Sequence, residues 1–163
     1  MKINTDGSFS EWGAAWVGGG FRDSSSKCLL FFHALTEAHD ALEAELIAVY
    51  WALTFALKSA WYKLWIEVDS IQLIIFLNTE QLSSWHHIHW KQKIGNLNKL
   101  FKVNMSFIYR EGNQPANWLA RHDLYTNSIS VATRPPTPLA LLHHDDKLET
   151  SHLRIKANQL KDL

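Results

Sequence analysis

Three acidic side chains sit where an acid is expensive to keep. Asp6, in the stretch KINTDGS over residues 2–8, and Asp69, in YKLWIEVDS over 62–70, each end an apolar, strand-like run and are followed by Gly-Ser or Ser. Glu45 lies in DALEAELIAVYWALTFALKSA, where its neighbours three and four positions away are Ala41, Leu42, Ala48 and Val49, so it projects from a helix face that ought to be buried. Singly, Asp6 reads as a turn former, Glu45 as a rim charge and Asp69 as an N-cap. Jointly they read as a shared site, because the ends of neighbouring strands can lie close together. Burying three ionised carboxylates raises the pKa of at least some of them, and a divalent cation removes that cost. An oxygen-rich, thiol-free site suits Mg²⁺ or Mn²⁺, and two such ions about 4 Å apart clamp the attacking and leaving oxygens of a phosphodiester.

The elements that must position these acids follow from the pattern. AAWVGGGFRDSSSKCLLFFHAL holds two β-branched or aromatic runs around a polar turn at Arg22 to Lys27, so three antiparallel strands lead the chain. Gly18 to Gly20 permit a bulge or a close backbone approach. From Asp40 the period becomes helical, with Leu42, Leu46, Val49, Leu53 and Leu57 on one face and Asp40 capping through the Glu43 amide. A strand over 62–70, a short helix IQLIIFLN capped by Ser70 or Asp69, a helix in SSWHHIHWKQKIGNLNKLF, a strand KVNMSFIYR and a last helix opened by Asn113 complete the order β-β-β-α-β-α-α-β-α. This is an α/β chain whose mixed sheet carries packed helices. One domain is expected over 1–122. Beyond it Pro135, Pro136 and Pro138 break any regular pattern, so 123–163 reads as a loosely ordered tail, and His143 and His144 there carry no readable role.

With 163 residues, 47% of them hydrophobic, the chain can build one core. Sixteen basic residues balance sixteen acidic ones, so no global field draws it to a polyanion, and such a partner must meet a local patch. A single cysteine, Cys28, excludes an internal disulfide and fits a reducing, intracellular compartment; it reads as a packed thiol. Strand-like sequence from Lys2 leaves no room for a leader, and charges interrupt every apolar run short of membrane-spanning length, so neither export nor a membrane partner is expected. The eight tryptophans, Trp51 and Trp65 especially, read as core.

TDGS at 5–8, AELIA at 44–48, VDS at 68–70 and YREGNQPANWLA at 109–120 resemble, in order and spacing, the ribonuclease H domain of the plant retroelement-related, reverse-transcriptase-associated type. The resemblance covers roughly residues 2–122. It implies a five-stranded mixed sheet and Mg²⁺-dependent hydrolysis of the RNA strand of an RNA–DNA hybrid; a monomer is expected. Carried onto this chain, the resemblance makes Asp6, Glu45 and Asp69 the catalytic metal ligands; Gly7, Ser8 and Ser70 beside them are expected to contact substrate. The pattern departs at Asn117, where the family places a fourth carboxylate. An amide oxygen ligates a metal but brings no charge and is no base. Asp123, six residues on, points elsewhere on a helix. The stretch REGNQ lacks the histidine of many ribonucleases of this fold, and Ala41 and Leu42 stand where an asparagine often meets the RNA 2′-hydroxyl.

WHHIHWKQK, residues 85–93, presents His86, His87 and His89, but without a cysteine or a fourth ligand at suitable spacing it is not expected to bind zinc. Lys91, Lys93, Lys99 and Lys102 with Trp85 and Trp90 either form a basic, aromatic ridge for the hybrid backbone, with Lys91 and Lys93 as the contacts, or a solvated face. Two rivals to an enzyme stand beside it. One is a nucleic-acid-binding module that has lost turnover; the other is a protein-interaction domain whose tryptophans supply the contact surface.

Overall fold

The computed structural model describes residues 1–10, 12–80, 82–121 and 129–134. Three strands come first, β1 (Lys2–Phe9), β2 (Ala14–Arg22) and β3 (Cys28–Glu37), and the long helix α1 (Ala41–Lys58) follows. Then come β4 (Lys63–Val68), α2 (Ile71–Asn78), α3 (Trp85–Asn98), β5 (Lys102–Phe107), a 3₁₀ turn (Arg110–Asn113), α4 (Gln114–Leu119) and β6 (Ser130–Ala132). The sheet order is β5-β4-β1-β2-β3-β6, with β1, β2 and β3 antiparallel and β1, β4 and β5 parallel. This is the expected mixed sheet with one strand more than the five anticipated. The sixth comes from the stretch read as tail: β6 pairs antiparallel with β3 from Phe31↔Ala132 to His33↔Ser130, so the sheet reaches past residue 122. Three residues just before a proline-rich stretch are too few for alternation to show. His122, Asp123, His143 and His144 lie outside the described residues. No helix among the described residues is long and apolar enough to cross a membrane.

The sequence folds this way because one stripe of α1 is apolar and one sheet face receives it. Leu46, Val49 and Leu53 pack with Ile3, Phe21, Phe32, Ile66 and Val68, and Ile47 and Ala48 with Ala15, Val17 and Ala34. Leu57, expected on the same stripe, stays 36% exposed at the helix end. Asp40 caps α1 as expected, accepting from the Glu43 amide at 2.9 Å. The same carboxylate receives His87 Nε2 at 2.9 Å, which ties the start of α3 to the start of α1.

Adjacent strand residues point to opposite faces. Gly7 faces α1, whereas Gly18, the pairing partner of Asp6, faces α4, where an added Cβ would meet Leu119 Cβ at 2.5 Å. The expected close approach at the triple glycine is therefore that of α4. On this second face lies a polar network. Arg22 donates to Asn4 Oδ1, the Asn4 amide donates to Glu67 and to Asn113 Oδ1 at 3.2 Å each, and Lys2 pairs with Glu67 at 2.9 Å. Asn113 makes no side-chain cap; its amide donates to the Thr5 carbonyl at 2.9 Å, fastening the turn before α4 to β1. Trp65 is not core: it is 49% exposed, its Nε1 donates to Ser106 Oγ and Lys2 lies over its ring.

Candidate metal centre

Pairing between β1 and β4 ends at Asn4↔Glu67, and beyond that point the acids gather. Asp6 comes from the middle of β1, Asp69 from the residue after β4 and Glu45 from α1. One carboxylate oxygen from each lies within 4.8 Å of the others. Gly7 makes the meeting possible. A Cβ there would sit 2.4 Å from the Ala44 carbonyl carbon and 2.5 Å from the Glu45 nitrogen, so only glycine lets α1 come this near to β1. The Gly7 N–H donates to the Glu45 carboxylate. Asp69 is spared the capping role, because Ser70 Oγ accepts from the Leu73 amide and closes α2 instead.

Asp6 is 3% and Glu45 8% exposed. Burial, reinforced by the charge of Asp69, pushes Asp6 up to about 6, and burial with the charges of Asp6 and Asp69 holds Glu45 well above the usual carboxylate range. Glu45 Oε2 is buried without a hydrogen-bond partner. A buried acceptor with no donor, among carboxylates that repel one another and with no sulfur or imidazole in the cluster, is the donor set of a hard divalent cation. Sequence reasoning missed two positive groups beside it: Arg110 Nε lies 3.9 Å from Asp69 Oδ2, and Arg110 and Arg121 both draw the Asp6 carboxyl downward. Both bracket the ANWLA motif, and their signal was that they flank a stretch already singled out for its acid slot.

The remaining expected residues divide. Asn117 is half-buried on α4, whose end, Leu119 and Ala120, lies against Gly18 next to Asp6. Ser8 is half-buried on β1 opposite Trp16. Ser70 spends its hydroxyl on the α2 cap. Lys91 is not a free contact for a polyanion: its Nζ donates to the carbonyls of Phe76, at 2.7 Å, and Thr79, and lies 4.9 Å over the Phe76 ring, because the C-terminal carbonyls of α2 lack helical partners and attract a cation. Lys93 lies 4.4 Å over Trp90 and 5.4 Å over Tyr50, while Trp85 is exposed.

The family described as Reverse transcriptase-like matches residues 4–123. An Arabidopsis thaliana protein that bears a ribonuclease H name is 31% identical over 161 residues, covering 94% of this chain; the chain spans about a quarter of that relative's length, 25%. Among solved structures, ribonuclease H1 of the archaeon Halobacterium salinarum superposes with a TM-score of 0.68 at 18% identity, over 73% of this chain and 92% of that one. LC11 ribonuclease H1, isolated from compost and solved with an RNA/DNA hybrid, gives 0.66 at 19% identity, over 73% and 92%. The fold is that of ribonuclease H.

Proposed function

The chain belongs to the reverse transcriptase-like family, and from that premise we propose that it is a divalent-metal-dependent endonuclease that hydrolyses the RNA strand of RNA–DNA hybrids. The observation that carries this reading is the convergence of Asp6, Glu45 and Asp69 on one point with Glu45 Oε2 unpartnered. These three carboxylates would hold the cation, Mg²⁺ or Mn²⁺, and Asn117 would offer a neutral amide oxygen on the side of α4. Bound there, the cation would supply Lewis-acid activation of water and stabilisation of developing negative charge. Arg110 and Arg121 offset part of the excess negative charge and would attract a phosphate to the cluster, and Gly7 and Ser8 follow Asp6 along β1.

Cleavage of a hybrid labelled on its RNA strand tests the reading. RNA fragments are expected with Mg²⁺, none with a chelator and none from Asp69→Asn, whose ligand has no replacement. A second reading, a nucleic-acid-binding module without turnover, is favoured by Asn117, which leaves the site one charge short. It becomes the better account if the wild type binds hybrid in a salt-sensitive way yet leaves it intact.

A further inference from the structure

We propose that His39, Glu43 and His86 form a second metal site, separate from the acid cluster, that takes a borderline transition cation such as Zn²⁺. Read along the chain, His86, His87 and His89 lacked partners for such a role. The fold changes the set. His87 is withdrawn: it is buried, its Nε2 is on Asp40 and its Nδ1 lies 2.6 Å from Ser83 Oγ. His86 is instead brought from the first turn of α3 to His39, which precedes α1, and to Glu43 in the first turn of α1. One donor atom from each of the three lies within 4.8 Å of the others.

The arrangement has the parts of a ligand set. The His39 and His86 rings stack face to face at 3.5 Å between centroids, which puts two imidazoles in contact; a ring nitrogen binds a metal in the plane of its ring, so one ring would tilt for both to share an ion. Glu43 is 6% exposed in its side chain, and its carboxylate is oriented from behind: Trp90 Nε1 donates to Oε1 at 2.9 Å and the His39 backbone N–H donates to Oε2 at 2.7 Å. Outer hydrogen bonds of this kind fix the direction of a metal ligand. Trp85 stacks on the outer side of His86 at 3.8 Å and walls the site. Two imidazoles and one carboxylate with an open side are a set that Zn²⁺ accepts at bonds of about 2.0–2.2 Å, whereas Mg²⁺ prefers oxygen alone. Tetrahedral donors at such bonds stand about 3.4 Å apart, so a cation would replace the hydrogen bond that now joins His39 Nδ1 to Glu43 Oε2 at 2.7 Å, these two atoms moving apart and His86 turning its ring nitrogen toward them. His39, 63% exposed in its side chain, has solvent on one side into which its ring can turn once that bond is exchanged for the metal. Bound there, the cation would join the loop before α1 to α3.

The test is calorimetric titration of Zn²⁺ into the full chain in excess Mg²⁺, which occupies the oxygen-only site. One equivalent of Zn²⁺ is expected to bind. Because loss of even an outer partner costs about 10–100-fold in metal affinity, His39→Gln and His86→Gln are each expected to weaken binding by at least about tenfold, and Asp69→Asn to leave it unchanged. Exposed His39 gives a variant whose folding is not at stake, and circular dichroism checks His86→Gln. Co²⁺ in place of Zn²⁺ is expected to give the intense visible absorption of a four-coordinate ion, lost in His39→Gln. The proposal is overturned if the wild type takes up no Zn²⁺, if the histidine variants bind it as tightly as the wild type, or if Asp69→Asn abolishes the uptake.

Discussion

Asp6 without a cation is an acid held where its charged form is poorly solvated, and that has a measurable sign. Its carboxyl releases a proton near 3.8 when exposed and near 6 when folded. The folded state therefore holds the proton more tightly, so the contribution of Asp6 is most favourable below pH 4 and is lost as pH rises through 6. The loss is on the order of 3 kcal/mol at about 1.4 kcal/mol per pKa unit. In chelator, urea unfolding of the wild type compared with Asp6→Asn is expected to show this difference opening between about pH 4 and 6, with the variant the more stable above it. Mg²⁺ is expected to raise the wild-type melting temperature and to leave Asp6→Asn nearly unmoved, because the cation binds only the native cluster. At the neighbouring position, Asn117→Asp adds a charged oxygen and is expected to increase hybrid cleavage, or lower its Mg²⁺ requirement, by a modest factor, since the added charge attracts the ion but also repels the other acids. The three acids were legible in the chain because each breaks an apolar pattern that is itself clear. Arg110 and Arg121 were not, since an arginine in a short polar turn breaks no pattern, and only the fold shows which charge it faces.

At the scale of elements, contact distance rather than composition decides what each helix can do. Gly7→Ala places a methyl group inside the α1 backbone and must push β1 and α1 apart. Overpacking of this kind costs about 1–3 kcal/mol, and here it also separates Asp6 from Glu45, so metal-induced stabilisation should fall together with stability. Gly95, in the interior of α3 with nothing within 4 Å of an added Cβ, is the contrast. Gly95→Ala is expected to stabilise by about 0.5–1 kcal/mol in the same urea measurement and to leave metal binding alone. Lys91→Ala removes the donor to the end of α2 and should lower stability by about 1–2 kcal/mol without changing the salt dependence of hybrid binding. The helices themselves were readable from their periodicity and caps: Asp40 and Ser70 do what their positions suggest. Lys91 was misread because a basic residue on a helix looks the same in sequence whether it meets solvent, a phosphate or a neighbouring helix's carbonyl groups.

At the scale of the whole molecule, zero formal charge means that attraction to a polyanion is local. Each phosphate neutralised contributes about 0.9 to the slope of log affinity against log salt, so Arg110→Ala is expected to reduce that slope by about one in a hybrid-binding titration, and an unchanged slope would remove Arg110 from the interface. The order of strands within the sheet came only from the fold, whereas the succession of elements along the chain was legible because the period changes sharply at Asp40 and again before Asp69. The sixth strand was not, and neither was the polar network beneath α4, which joins residues more than a hundred positions apart. That network also acts as a check on strand placement. In β1 the even positions Lys2, Asn4 and Asp6 and the odd positions Ile3 and Gly7 make opposite demands. A slip by one residue would turn Asn4 into the apolar layer under α1, set Ile3 against Arg22 and Glu67, and dissolve the acid cluster in the same move. A misregistered chain is thereby denied a stable compact form, so on refolding, recovery of metal binding and recovery of tertiary structure should proceed with a single time course.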